Sequence, residues 1–268
     1  QLFTVCWWEQ RGSGISYSRK VTKETMTIGQ MIEDATAVTN YLRRRFGKEK
    51  IYVLGHSWGS VLGVLTVQKS PELFHGYIGI GQVVCQSKSE CLAYSFMVNE
   101  FTAAGDRKML RRLEKFPIDR GGEVSFQYLA VRSVGMMKLG IGIMHHLDSM
   151  SDCIKIVLRY KGYTLKDKLH FVMGSGLALK CLWDFVMQTD FVKQVPHLEI
   201  PVYIFQGRFD YQVSYSLAKE FADTVKAPVK GFYTFENSAH SPCFEEPKKM
   251  CHIIREDVLQ GKCGLADG

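Results

Sequence analysis

The chain has 268 residues, of which 46% are hydrophobic and 23% are charged. This length suits one globular domain or a domain with a modest insertion, and the composition is ordinary for a soluble globular protein. The formal charge of +7 is spread thinly, without a run of five Lys or Arg, so we expect no nucleic-acid partner. No uninterrupted apolar run approaches a membrane span, so we also expect no membrane partner.

The eight cysteines point away from metal and redox chemistry. None of them forms a C-x-x-C pair, the spacing typical of zinc knuckles and redox motifs. A chain of this length does not need disulfides to hold its core. We therefore expect buried, reduced thiols in a cytoplasmic protein, with no metal and no cofactor.

The first third of the chain alternates between strand and helix patterns. An apolar, β-branched run from Leu2 to Trp8 is typical of a strand buried on both faces. Thr27 and Gln30 form a capping box ahead of an apolar stripe at helical spacing, and Gly47 stands at the expected end of that helix. The next predicted elements are a strand at 51–54, a helix at 58–69 ended by Ser70-Pro71, and a strand at 77–84.

The alternation then stops and later resumes. Residues 85–195 read as helical, with helices at 106–116 and 181–192 and a buried helix at 133–147, and without clear strands. Strand, helix, strand and helix follow at 202–205, 214–225, 231–235 and 244–259. Such a pattern predicts an α/β fold with a mostly parallel sheet. Residues 1–84 and 196–268 form the predicted core, and residues 85–195 form a helical cap.

The predicted cap holds most of the net charge, with 16 basic and 11 acidic residues. We interpret this excess as a solvated helical surface, and a preference for acidic substrates is the alternative.

The pentapeptide Gly55-His56-Ser57-Trp58-Gly59 lies between a predicted strand and a predicted helix. In the G-x-S-x-G pattern a sharp turn forces the serine into strained backbone angles and exposes its hydroxyl at the carboxyl ends of the strands. The flanking glycines are expected to let the helix pack close to the strand. The backbone amide of Trp58, at the helix start, is placed to stabilise an oxyanion. Ser57 is therefore the candidate nucleophile.

A serine hydroxyl needs a base to remove its proton, and the base needs an orienting acid. Asp210 and His240 each follow the end of a predicted strand, in the chain order Ser, Asp, His that this pattern requires. We predict His240 as the base and Asp210 as the residue that orients it. The competing candidates are interpreted as surface or packing residues; they are His56 beside Ser57, His145 and His146 in the predicted helical segment, and Glu236 in the His240 loop.

Four segments resemble the motifs of prolyl iminopeptidase-like α/β hydrolases of the S33 peptidase type. The segment Trp8 to Gly14 is similar to their D-Q-R-G-x-G loop, and Gly55 to Ser60 is similar to their G-x-S-W-G-S elbow. The segments Gln206 to Asp210 and Ala239 to Ser241 resemble their G-R-x-D and G-H-S loops. The resemblance implies the α/β-hydrolase fold, a Ser57–Asp210–His240 triad and a helical cap after the strand that follows the nucleophile helix.

The chain also departs from this family pattern. Glu9 replaces the usual Asp, and Ala239 replaces the usual Gly. The resemblance implies further strands and an H-G-G-P-G loop ahead of Leu2, and that loop supplies the second oxyanion amide. Because the sequence begins with Gln1 rather than Met, we expect this chain to be a fragment of a longer protein. Loss of one oxyanion donor typically costs ~10²–10³ in rate.

These observations predict a serine hydrolase that cleaves an ester or amide of a small molecule or short peptide through an acyl-enzyme. The resemblance implies aminopeptidase activity, and a non-catalytic ligand-binding member of the fold is the alternative. Aminopeptidases of this kind hold the substrate amino group with cap carboxylates, and some have an acidic residue where this chain has Tyr211. The cap candidates are each interpreted as solvated charges; they are Glu90, Glu100, Glu123 and Asp184.

Overall fold

A computed structural model describes residues 2–120, 123–146 and 150–267. Its centre is a four-stranded sheet in which every neighbouring pair is parallel and the strands lie in chain order. The strands are β1 (Ile51–His56), β2 (Phe74–Ile80), β3 (Val202–Gly207) and β4 (Lys230–Phe235). Because all four run in one direction, their carboxyl ends meet at one edge.

Helices connect the strands and account for all the regular structure between β2 and β3 in the described part of the chain. The α-helices are α1 (Ile28–Phe46), α2 (Trp58–Lys69), α3 (Gln86–Ala103), α4 (Arg107–Leu113), α5 (Phe126–Lys138), α6 (Met150–Arg159), α7 (Leu165–Gln188), α8 (Phe191–Gln194), α9 (Tyr215–Thr224), α10 (Pro242–Glu245) and α11 (Pro247–Glu256). Short 3₁₀ helices lie at Gly14–Ser16, Pro71–Leu73, Ile118–Arg120 and Val258–Gln260. We call residues 85–195 the insertion; their assignment as a separate cap domain stays a prediction.

The ends of α1 follow from its sequence. The Thr27 hydroxyl accepts a hydrogen bond from the Gln30 backbone N–H at 3.2 Å, as predicted. The Gln30 side chain donates to Asp34 at 3.0 Å instead of returning to Thr27, so only half of the predicted capping box forms. Gly47 ends the helix in the left-handed conformation with φ 61°, which confirms it as the C-cap.

The prediction of a strand at Leu2 to Trp8 is wrong. This segment has no regular structure, and Val5 and Trp7 are 67% and 84% exposed. A strand exists only where a neighbour supplies hydrogen bonds, and β1 pairs only with β2 among the described residues. The segment instead packs Phe3 edge-on against Tyr52, with ring centroids 5.6 Å apart.

Several other predicted elements differ in extent. The helix predicted at 181–192 is the end of α7, which begins at Leu165 after a capping box at Thr164 and Asp167. The helix predicted at 244–259 is divided into α10 and α11, because Glu246, which precedes Pro247, leaves the helical conformation.

The strand predicted at 77–84 is β2, which begins three residues earlier at Phe74 and ends at Ile80, because Gly81 turns the chain with φ +52°. The helix predicted at 133–147 is α5, which ends at Lys138, before Gly140 turns the chain with φ +65°. Residue 147 lies outside the described residues.

Apolar layers cover both faces of the sheet, as a parallel sheet requires. One cluster packs α2 and α9 on the sheet, with Val64 and Phe221 fully buried. On the other face, α11 contributes Ile253 to a cluster with Phe205. A separate cluster lies within the insertion around Met97 and includes two partly buried residues of the segment after β3.

The seven cysteines that the structure describes are free thiols. Cys85 is buried, but four others are exposed, so the prediction of buried thiols is wrong for Cys6, Cys91, Cys251 and Cys263. The side chain of Cys153 lies outside the described part of the chain.

One described helix, α7, is long and apolar enough to cross a membrane, judged by length and composition alone. It carries charged residues at positions 166, 167, 168, 180 and 184. It also packs on the loop before Gly14, because a Cβ at Gly174 would lie 2.1 Å from the Gly12 carbonyl oxygen. The absence of a membrane partner stays a prediction.

Candidate active site

Ser57 lies in the sharp turn between β1 and α2. Its backbone has φ 57° and ψ −122°, a conformation that a non-glycine residue adopts only under constraint. A Cβ at Gly55 would lie 2.2 Å from the Gly59 carbonyl oxygen, so the close approach of helix and strand requires glycine there. A Cβ at Gly59 would meet nothing within 4 Å, so the expected need for the second glycine is wrong.

The Trp58 backbone amide lies at the start of the helix that follows Ser57, as predicted. Trp58 is the first residue of α2, where backbone N–H groups have no intrahelical acceptor. The helix dipole adds partial positive charge at this end. The position therefore suits an oxyanion, and its role stays a prediction.

Asp210 follows β3 and is 1% exposed. Its Oδ1 accepts from the backbone N–H groups of Gln212 at 2.9 Å and Val213 at 3.2 Å. Its Oδ2 accepts from Gln206 Nε2 at 2.7 Å and lies 2.9 Å from Nδ1 of His240. Both carboxylate oxygens accept from N–H groups, so Nδ1 of His240 is the donor in this contact, and Nε2 is the ring nitrogen that faces away from Asp210.

The loops that carry Asp210 and His240 lie directly against each other. A Cβ at Gly207 would lie 1.9 Å from the Ala239 carbonyl oxygen, so only glycine allows this approach. Two backbone hydrogen bonds join the loops, from Arg208 N–H to the Phe235 carbonyl at 2.9 Å and from Phe209 N–H to the Ser238 carbonyl at 3.0 Å. The predicted acid and base are thus brought together by backbone contacts as well as by their side chains.

Ser57 lies at the same edge of the sheet. Its backbone N–H donates to the Ile80 carbonyl at 3.0 Å. Gly81, the residue after Ile80, lies against the His240 imidazole, since a Cβ there would lie 2.8 Å from Nδ1 and Cε1 of His240. In the described part of the chain no hydrogen bond joins the Ser57 hydroxyl to His240, so their pairing stays a prediction.

The competing residues occupy supporting positions. His56 Nε2 donates to the His240 carbonyl at 2.9 Å, and the two rings lie 4.9 Å apart. Burial, together with the neighbouring His240, lowers the pKa of His56 to about 4, so this ring is neutral at pH 7. Glu236 pairs with Arg208 at 2.8 Å on the surface.

The two histidines of the insertion pack on one another and on the Asp210 loop. The His145 ring stacks on Phe209 with centroids 3.8 Å apart, and the His146 ring lies 4.6 Å from the His145 ring. These ring contacts agree with the predicted packing role of His145 and His146.

Two glutamines were missed by the sequence reasoning. Gln206 is fully buried, donates to Asp210, and accepts from the Gln82 backbone N–H at 3.0 Å. A polar residue inside an otherwise apolar buried strand, four positions before Asp210, was the available signal. Gln10 accepts a hydrogen bond from the Trp58 indole N–H at 2.9 Å, so the loop before Gly14 contacts the serine turn.

The interpretation of Glu90 as a solvated charge is wrong. Its carboxylate is 0% exposed, and its Oε2 lies 2.7 Å from Nε of Arg132. Glu100, Glu123 and Asp184 are exposed, as expected. Among the side chains that the structure describes, no group of three His, Cys, Asp or Glu could hold a metal ion.

A helix-covered parallel sheet, with a strained serine after one strand and a buried Asp–His pair after two others, defines an α/β-hydrolase fold. Solved structures share it. VinJ matches with a TM-score of 0.57 at 14% identity, over 92% of this chain and 77% of that chain. Proline iminopeptidase of Mycobacterium smegmatis matches with a TM-score of 0.58 at 13% identity, over 91% of this chain and 75% of that one.

Residues 1–247 match the family described as serine aminopeptidase, S33, and the chain belongs to this family of hydrolases. The probable aminopeptidase YbaC of Bacillus subtilis (strain 168) is 33% identical over 254 residues, which cover 95% of this chain and 79% of that protein. A proline iminopeptidase of Saccharolobus solfataricus is 23% identical over 96% of this chain and 76% of that protein. The resemblance inferred from the motifs is confirmed.

Proposed function

We propose that this chain is a serine hydrolase in which Ser57 is the nucleophile, His240 the general base and Asp210 the residue that orients the base. The observation that carries the proposal is the buried contact of 2.9 Å between Asp210 and His240, at the edge of the sheet where Ser57 also lies.

The proposed chemistry is acyl transfer in two steps. Nε2 of His240 accepts the hydroxyl proton as Ser57 Oγ attacks the carbonyl carbon, and Asp210 stabilises the imidazolium. The oxyanion lies at the start of α2, facing the Trp58 amide. The imidazolium then protonates the leaving group, and water activated by the same histidine releases the acyl group from the serine.

We further propose an aminopeptidase that acts on short peptides or amides with a free N-terminal residue. The family description and the names of the relatives support this substrate class. Glu90 is not assigned to the substrate amino group, because Arg132 already occupies its carboxylate. A small-molecule ester remains the other substrate class that the mechanism allows.

Labelling with a fluorophosphonate probe tests the nucleophile in the full-length protein. We expect covalent labelling of Ser57, loss of labelling in Ser57→Ala, and a fall of at least about 10³-fold in rate in His240→Ala. Ser175→Ala is the matched control, because Ser175 is exposed on α7 and bonds only its own helix, and it should label like the wild type. An unlabelled wild-type protein would favour a ligand-binding member of the fold.

Chromogenic substrates test the peptidase assignment. Proline and alanine amides with a free amino group should react faster than the same amides with a blocked amino group. Equal or slower reaction of the free amides would reject the aminopeptidase assignment.

A further inference from the structure

The insertion buries an ion pair that the proposed chemistry does not use. Glu90 on α3 is 0% exposed and Arg132 on α5 is 6% exposed, with Oε2 and Nε 2.7 Å apart. These two atoms are in ion-pair contact without a well-directed hydrogen bond. The other carboxylate oxygen accepts from Gln86 Nε2 at 2.7 Å. Burial and the same carboxylate raise the pKa of Tyr128.

The remaining donors of this cluster point out of the insertion to one residue, Gln212. Arg132 donates from Nη1 to the Gln212 side-chain oxygen at 2.7 Å and from Nη2 to the Gln212 carbonyl at 3.1 Å. Gln86 Nε2 also donates to this carbonyl, at 3.0 Å. Three hydrogen bonds from the insertion therefore fix one residue of the loop after β3.

Gln212 in turn faces the predicted catalytic acid. Its backbone N–H donates to Asp210 Oδ1 at 2.9 Å, while Oδ2 of the same carboxylate contacts His240. The Gln212 carbonyl shares one planar peptide unit with the Val213 N–H, which donates to Asp210 Oδ1 at 3.2 Å. A rotation of this unit would redirect the Val213 N–H and allow the carboxylate to turn. The hydrogen bonds thus form one continuous chain from the ion pair to the imidazole.

Stability alone does not account for such a pair. Desolvating two charges often costs as much as their attraction returns, and apolar residues of similar volume are often as stabilising. A planar guanidinium that a buried carboxylate holds in place does, however, fix both the direction and the distance of the group that accepts its hydrogen bonds.

We propose that Glu90 and Arg132 are positioning residues, which hold Gln212 so that Asp210 keeps its orientation toward His240. They act through Gln212 and contact no reacting atom. This inference rests on the proposed roles of Asp210 and His240.

The test compares the wild type with the double variant E90L/R132M, which removes both charges together, and with R111K, an exposed arginine on α4 as the control. Three quantities are measured: the melting temperature, the rate of Ser57 labelling by a fluorophosphonate, and the NMR signal of the His240 Nδ1 proton in ¹⁵N-histidine-labelled protein. We expect the double variant to stay folded, to label about tenfold more slowly, and to lose or shift the Nδ1 signal. R111K should match the wild type in all three.

The outcomes separate this inference from the proposed function. An unlabelled wild type would reject the nucleophile, while the Nδ1 signal would still report on the positioning of Asp210. Wild-type labelling and an unchanged Nδ1 signal in the folded double variant would overturn the positioning role. If the double variant does not fold, Arg132→Lys, which keeps a positive charge for Glu90 but replaces the two Nη donors to Gln212 by a single ammonium, is measured in the same way. Unchanged values there would also overturn the positioning role.

Discussion

At the residue scale, the neighbour of the predicted nucleophile is a histidine that stays uncharged. His56 Nε2 is bonded to the His240 carbonyl, and the two imidazole rings lie 4.9 Å apart. A second positive charge at this distance would oppose the imidazolium that the proposed reaction forms. The pKa of His56, lowered to about 4 by burial first and by His240 second, avoids that conflict. His56 therefore packs on His240 and bonds its carbonyl while its own ring stays neutral.

The same lowered pKa predicts a pH-dependent stability. An unfolded histidine takes up a proton near pH 6.5, whereas folded His56 resists it down to about pH 4. Between these values the unfolded chain binds more protons, so the free energy of unfolding falls as the pH falls from 7 toward 4. The expected contribution is about 2 kcal/mol, below the full value of such a shift because the ring is partly exposed.

Urea unfolding of the wild type and His56→Gln at pH 7.0 and 4.5 measures this contribution. Glutamine cannot titrate and still carries an N–H donor for the His240 carbonyl. The variant should lose less stability than the wild type over this pH range. An equal loss in both proteins would show that His56 does not contribute.

Position in the chain predicted that Asp210 and His240 meet, since each follows a strand, and the structure places their side chains 2.9 Å apart. It did not predict Gln206, which the structure places on the carboxylate of Asp210. Nor did it predict the burial of Glu90, because a lone glutamate in a helix gives no sign that an arginine 42 positions later will cover it. Pairing across the fold, not local pattern, decides both cases.

At the element scale, the turn between β1 and α2 depends on the packing of the helix against its own strand. The strained angles of Ser57 persist because Ser57 N–H and the Ser57 carbonyl are both bonded, to Ile80 and to Ser60. The close approach is made at Gly55, where the helix backbone leaves no room for a side chain. Gly59 faces open space.

This difference predicts opposite effects for two alanine substitutions in one motif. Gly55→Ala places a methyl group against backbone and should destabilise the protein by about 3 kcal/mol or more. Gly59→Ala meets no atom and lies in the first turn of a helix, so it should be neutral or stabilise by up to about 1 kcal/mol. Urea unfolding of both variants measures these changes in unfolding free energy. Equal destabilisation would mean that both glycines are required by the turn.

The elements themselves followed from the sequence where local chemistry determines them. The predicted helix at 58–69 is confirmed residue for residue, because Ser57 and Ser70-Pro71 bound it. The prediction of a strand at Leu2 to Trp8 was wrong, because an apolar pattern cannot show whether a neighbouring strand is present to pair with it. The end of β2 was placed too late, since the apolar run continues past the turn at Gly81.

At the scale of the whole molecule, the insertion packs on both loops that carry the proposed base and acid. Phe209 and Tyr211, on either side of Asp210, pack against the apolar cluster of the insertion. The segment after α5 accepts two backbone hydrogen bonds at 3.2 Å each, from Tyr211 N–H to the Ile141 carbonyl and from His240 N–H to the Gly142 carbonyl. The sequence predicted an insertion but gave no sign that it would hold these loops.

Glu245 is bonded both to the insertion and to the loop of His240. Its carboxylate accepts from the backbone N–H of His145 at 2.6 Å and of Ala239 at 2.9 Å. A single side chain of α10 thus joins the insertion to the loop of His240. Geometry at the site and folding of the insertion should therefore be coupled.

Phe209→Ala tests this coupling, because Phe209 forms the stack on His145. We expect a loss of about 2 kcal/mol in unfolding free energy, less than for a fully buried phenylalanine, since Phe209 is partly exposed. Faster hydrogen exchange should follow at the N–H groups of Tyr211 and His240, because their acceptors lie in the released segment. Phe244→Ala, at a side chain that is 61% exposed, is the control and should change stability by less than about 0.5 kcal/mol. If exchange at Tyr211 and His240 stays at the wild-type rate in Phe209→Ala, the insertion does not hold these loops, and their positions are set by the sheet alone.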